Sequence, residues 1–255
     1  IRDSFGGDPD NVTIAGQSAG GVMVINLLSI PSAEGLFDKA IVQSGAFVSP
    51  GRELAAAEQL GVEGMATLDV PADATADMLR SVSAQSLTYN PALRRGISGT
   101  IDGTFNTVSP RAAMDAGREA DVPVLVGSNM GEGGFSRATQ LAAETGDEGA
   151  PAFLYHFRYM PEFREAAWGN GPIHSAELMY TFDSLETSSW GAGQTTAEDE
   201  AYADIVNSCW TSSMHMNPSS TTITCNNGFE WPAYTPESGA VAVFDEEITV
   251  GDAST

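Results

Sequence analysis

Short apolar runs alternate with helical stretches along the 255 residues, which predicts an α/β layer fold with a mostly parallel sheet and helices on both faces. Three observations carry that expectation. Residues 40–43, 122–127 and 152–157 are continuous apolar runs bounded by turn signals, as in strands covered on both faces. Stretches of helical periodicity separate them. A glycine-bounded turn, Gly16-Gln17-Ser18-Ala19-Gly20-Gly21, joins a β-prone run to an apolar helix. The length suits one large α/β domain or two small ones, and the chain is read as a single domain over 1–255.

Taken in order, 3–5 reads as the end of a helix stopped by Gly6-Gly7, and 8–11 as a turn. Val12-Thr13-Ile14-Ala15 is a short strand, the glycine-bounded turn follows, and 22–28 is an apolar helix. A second strand at 40–43 ends at Ser44-Gly45. From 52 to about 87 the pattern is helical: Leu54, Ala57 and Leu60 share one face, as do Met78, Leu79 and Val82. A short helix is expected over 111–119, a central strand over 122–127 and another over 152–157. Tyr202, Ile205, Val206 and Cys209 mark a late helix, with Thr195 and Glu198 spaced as a capping box. Beyond Asn217-Pro218 the chain reads as turns and short extended pieces.

Composition narrows the functional classes. Eleven Lys+Arg against 34 Asp+Glu give a net charge of −23, and Lys39 is the one lysine. Such a field repels phosphates, so nucleic acid and anionic membranes are poor partners. No apolar run reaches the ~18–20 residues of a membrane span. The acidity reads either as solubility or as adaptation to high salt, where an acidic, lysine-poor surface stays hydrated. Cys209 and Cys225 make neither a disulfide scaffold nor a zinc site. One bridge and a buried free thiol are both open. The chain begins at Ile1 without a signal-like segment, and the only preference for a location is a weak one for the extracellular side.

Gly16-Gln17-Ser18-Ala19-Gly20 fits the pattern G-x-S-x-G, and its position between strand and helix gives the pattern meaning. A tight strand-to-helix turn strains the central residue and pushes the serine hydroxyl out at the C-terminal edge of the sheet. The helix behind it aims free N–H groups at the same point. Serine needs a base to act as a nucleophile. Of three histidines, His156 lies inside an apolar run and His215 between two methionines, both places for structural residues. His174 follows a strand by a Gly/Pro-rich loop, where such folds put functional groups. The acid that would orient it is expected just past the strand at 122–126, which selects Glu132, with Glu177 as the rival.

These residues sit in a wider pattern. Phe5-Gly6-Gly7-Asp8-Pro9-Asp10-Asn11-Val12-Thr13 leading into the Ser18 turn resembles the type-B carboxylesterase and cholinesterase family. So do Ile41-Val42-Gln43-Ser44-Gly45, Ile101-Asp102-Gly103, Val122-Pro123-Val124 through Glu132-Gly133, Tyr155-His156-Phe157, 174–182 and Glu230-Trp231-Pro232-Ala233-Tyr234. The resemblance implies an α/β-hydrolase fold and hydrolysis of small carboxylic esters without a metal or organic cofactor. It implies Ser18 as nucleophile, Glu132 as acid and His174 as base. The Ala19 N–H would be an oxyanion donor, and Gly16, Gln17, Gly20 and Ser44 would support the site.

The pattern departs from the family in three ways. Gln17 stands where many members carry glutamate. The glycine-rich oxyanion loop and first strands of the family would precede Ile1, so the chain is expected to be part of a longer polypeptide, its N-terminal segment a partner of this one. Ser18 to Glu132 spans 132 − 18 = 114 positions, but Glu132 to His174 only 174 − 132 = 42, where full members carry a helical insertion. A serine esterase is therefore the leading expectation. A non-catalytic adhesion or binding protein on the same fold, and an esterase inactivated by the shortened segment, are the alternatives.

Overall fold

The computed structural model describes residues 2–94, 99–146 and 149–254. The chain forms two compact units, one of Ile1–Leu28, Ala33–Phe47 and Glu119–Thr255, the other of Ser29–Ser32 and Val48–Arg118. The first is built on six strands: β1 (Thr13–Gln17), β2 (Lys39–Gln43), β3 (Val124–Asn129), β4 (Ala152–Phe157), β5 (Ala240–Phe244) and β6 (Ile248–Asp252). They lie side by side in chain order. β1 to β5 are parallel and β6 runs antiparallel to β5. Among the described residues β1 pairs on one side only.

Why these segments are strands follows from their burial. Every residue of β2, β3 and β5 is buried, the state that continuous apolar runs with Val, Ile and Phe can tolerate. Alternate residues of β4, Phe153, Tyr155 and Phe157, belong to an aromatic core with Trp231 and Phe244. Helix α3 (Ala197–His215) supplies Tyr202, Val206 and Trp210 to the same core. Helix α2 (Phe135–Gly146) packs on β3 and β4 through Ala138, Leu141 and Ala142, which lie outside that cluster, so both faces of the sheet are covered. Helix α1 (Ala19–Ser29) follows β1.

The register sets up the site. Gln17 is level with Gln43, Gln43 with Gly127, and Gly127 with Tyr155; β1 and β2 end at that row, and β3 and β4 run two residues further, to Asn129 and Phe157. Residues just beyond that row, Ser18, Ser44 and the loop after Asn129, leave the sheet at its C-terminal edge, where open α/β sheets carry their sites.

Several boundaries differ from expectation. The helical reading of 52–87, in the second unit, breaks into Leu54–Ala66, Ala76–Ser81 and Ala84–Thr88. Asp69 takes a φ of +57° and Pro71 follows, which stops the first helix, and Thr75 and Ser83 cap the next two. The helix expected over 111–119 is Pro110–Met114, started by the Ser109 cap. The late helix is capped one residue further on, by Thr196 and Asp199 rather than Thr195 and Glu198. Beyond 217 the chain is more ordered than its turn residues suggest. β5 and β6 complete the main sheet, and Thr222–Thr224 pairs with Glu230–Pro232. Cys209 and Cys225 form a disulfide, so neither is a free thiol.

Candidate active site

Ser18 stands between β1 and α1 with φ +56°, a left-handed conformation that non-glycine residues seldom adopt. Its N–H donates to Gln43 O at 2.8 Å, which ties the turn to β2. A Cβ on Gly16 would come within 2.2 Å of Gly20 C, and one on Gly45 within 2.5 Å of Ser18 O. Glycine is therefore required at both. At Gly20 nothing lies within 4 Å of such an atom, so the turn demands the first glycine of G-x-S-x-G sterically, not the second. Ala19 opens α1, and its N–H has no intrahelical acceptor. Ser44 also has positive φ, +49°, and donates its N–H to Gly127 O at 2.9 Å.

Glu132 ends a single 3₁₀ turn, Met130–Glu132, that follows β3. Both its oxygens are engaged. Oε1 accepts from Asn129 N at 2.7 Å, and Oε2 is in hydrogen-bond contact with His174 Nδ1. Two further bonds hold the His174 loop against this turn: Gly131 N to Pro172 O at 3.0 Å and Asn129 Nδ2 to Ile173 O at 2.8 Å. A Cβ on Gly131 would lie 2.7 Å from Gly171 O, so the two loops meet backbone to backbone. With the Nδ1 proton directed to Glu132, Nε2 of the half-exposed His174 carries the lone pair. The Gln17 side-chain amide lies 3.3 Å from it, as donor. The Ser18 hydroxyl makes no hydrogen bond to His174 among the described residues. Ser18, Ala19, Ser44, Glu132 and His174 nonetheless line one cavity of about 410 Å³, which Phe47 also borders.

The rival groups lie elsewhere. Glu177 is fully buried, accepting from Asn129 Nδ2 at 2.5 Å and Gln43 Nε2 at 3.4 Å. Burial pushes its carboxyl up to about 7, against the pull of the Asn129 hydrogen bond. His156 stacks on Phe135 at 4.3 Å and accepts from Arg158 Nε at 3.1 Å. Burial and the neighbouring guanidinium lower its imidazole to about 4. The His215 ring donates to Thr211 O at 2.8 Å on the end of α3. Sequence reasoning passed over Asn129, which braces both the Glu132 turn and Glu177, and Arg137 and Ser128, which line the cavity. Only the clustering of Asn129 with Glu132 on one tight turn could have pointed to the first. Among the described residues no three His, Cys, Asp or Glu side chains come together as a metal site, and no helix is long and apolar enough to cross a membrane.

A strained serine on a strand-to-helix turn, at the C-terminal edge of a mostly parallel sheet and beside a carboxylate–imidazole pair, defines an α/β-hydrolase. The carboxylesterase family profile matches residues 3–148, and the chain belongs to that family. It is 26% identical over 309 aligned positions to para-nitrobenzyl esterase of Bacillus subtilis (strain 168), an alignment covering 97% of this chain and 61% of that protein. The alignment is longer than the chain, so the relative carries inserted residues within the matched span. Human cocaine esterase is 34% identical over 134 residues, 51% of this chain and 24% of its own length. A solved thermophilic para-nitrobenzyl esterase superposes with a TM-score of 0.78 at 25% identity, over 97% of this chain and 62% of its own. The chain thus spans about three fifths of the para-nitrobenzyl esterases it matches.

Proposed function

We propose that the protein hydrolyses carboxylic esters through an acyl-enzyme on Ser18, with 1–255 acting as one catalytic domain and Val48–Arg118 of the second unit falling between β2 and β3 in the chain. The observation that supports this best is the arrangement of Ser18, Glu132 and His174 around one cavity, with Glu132 already against His174 Nδ1. Ser18 Oγ attacks the ester carbonyl carbon while His174 Nε2 takes its proton, once the ring has exchanged Gln17 for Ser18. The Ala19 N–H donates to the oxyanion. As the carbonyl re-forms, the C–O bond to the alcohol breaks, and His174 returns the proton to that oxygen. Water, deprotonated by His174, then attacks the acyl carbon. The carboxylic acid leaves and the proton goes back to Ser18. Glu132 holds the ring in the required tautomer and balances the imidazolium throughout. The substrate is a small ester, and the reaction as written needs neither metal nor organic cofactor.

The test is labelling with a fluorophosphonate together with turnover of a p-nitrophenyl ester. The parent protein is expected to label at Ser18 and to turn over. Ser18→Ala is expected to fold normally, to lose the label and to lose at least about 10³-fold in rate. Equal turnover by parent and variant overturns the nucleophile assignment. A folded parent that neither labels nor turns over favours the non-catalytic readings.

A further inference from the structure

The cavity that holds Ser18 and His174 has a second polar wall that the steps above do not use. Arg137 lines it from the first turn of α2. Its exposed side chain makes no ion pair among the described residues, in a chain with 34 acidic residues. The position is electrostatically unusual. A helix N-terminus carries a partial positive charge that favours anions, and no acidic residue occupies this first turn to offset it. Ser128 lines the same cavity, is 1% exposed, and its Oγ has no hydrogen-bond partner among the described residues. A buried hydroxyl left unpaired calls for a partner, and beside a cavity a ligand atom can be that partner. Gly134, between them in sequence, also lines the cavity. A Cβ there would lie 3.4 Å from Ser128 Cβ and 3.8 Å from its Oγ. Glu132, the carboxylate in this wall, has both oxygens engaged by Asn129 and His174.

We infer that the ester turned over at Ser18 bears a carboxylate, received by the Arg137 guanidinium and the Ser128 hydroxyl. This inference rests on the ester-hydrolase reading and names its substrate class. A planar two-oxygen acceptor matches a guanidinium fork with a hydroxyl in the same cavity. A dianionic phosphate would bring a second charge for which this wall has no second cation, into a molecule of net charge −23.

The experiment compares mono(4-nitrophenyl) adipate with its methyl ester, which differ by one negative charge, and measures adipate binding by calorimetry on the complete polypeptide. The parent is expected to favour the carboxylate substrate by about tenfold in kcat/KM. Arg137→Ala is expected to abolish that preference, mainly through KM, by lowering kcat/KM about tenfold more for the carboxylate substrate than for the methyl ester. Arg137→Lys should keep part of the preference, since it keeps the charge and loses the fork. Ser128→Ala should reduce it less than Arg137→Ala does. If Arg137→Ala slows both esters alike, or neither, the carboxylate subsite is overturned. Fluorophosphonate labelling separates this failure from that of the ester-hydrolase reading. Unlabelled protein that binds adipate only with Arg137 intact keeps the anion site and overturns the hydrolase. Labelled protein blind to the charge does the reverse.

Discussion

Glu132 and Glu177 are the same kind of side chain within reach of the same loop, and their surroundings separate them. Glu132 retains access to the cavity and both its oxygens accept hydrogen bonds. Glu177 is buried, and its carboxyl is raised to about 7 chiefly by that burial. The folded state therefore holds its proton more tightly than the unfolded chain, where the carboxyl has its ordinary value of 4.5. Stability from this group is present below about 4.5 and is lost as pH rises through about 7. Glu177→Gln mimics the protonated form. It is expected to gain stability relative to the parent as pH rises from about 5 to about 8, read by urea unfolding at both ends. His156, lowered to about 4, acts with the opposite sign between about 4 and 6.5, so the difference between variant and parent is the quantity to follow. A difference that does not change with pH contradicts the buried-acid assignment.

At the scale of elements, α3 and the hairpin of Thr222–Thr224 with Glu230–Pro232 depend on each other. Cys209 on the helix and Cys225 at the hairpin turn are bonded and nearly inaccessible. The Cys225 N–H also donates to Phe229 O at 3.0 Å, and Trp231 Nε1 to Leu154 O at 3.2 Å, which attaches the hairpin to β4. Closing a loop of 16-residue separation is worth about 3 kcal/mol. The double substitution Cys209→Ala, Cys225→Ala is expected to lower unfolding stability by about that amount. Dithiothreitol should affect the parent only under conditions that open the aromatic core. A variant as stable as the parent would show that packing of Trp210 and Trp231 alone holds the hairpin.

For the whole molecule the dominant quantity is charge. A net −23 produces self-repulsion that favours expansion, and dissolved salt screens it over a few ångströms. The single lysine does little to relieve it, because Lys39 is 4% exposed and donates to Asn11 Oδ1 at 2.5 Å. Raising NaCl from about 0.05 to about 1 M is expected to raise the thermal midpoint by several degrees and to sharpen the transition. A midpoint that falls over this range would show that local ion pairs such as Arg111–Asp115 outweigh the global repulsion.

The local sequence determined what depends on neighbours in the chain. Gly16, Ser18 and the apolar helix that follows encode the strained turn, because backbone crowding within a few residues decides it. Continuous apolar runs encoded β2, β3 and β4 for the same reason. The run Ala240–Phe244 carries the same signal as those strands, but the turn-rich residues around it obscured it. Only the tertiary structure decided which carboxylate meets His174, since the contact depends on two loops 42 residues apart joined through Gly131, Pro172 and Asn129. It also decided that the two cysteines pair, and that Arg137 and Ser128 share a cavity with Ser18. Those are distances between residues far apart in the chain, and no spacing or periodicity along it encodes them.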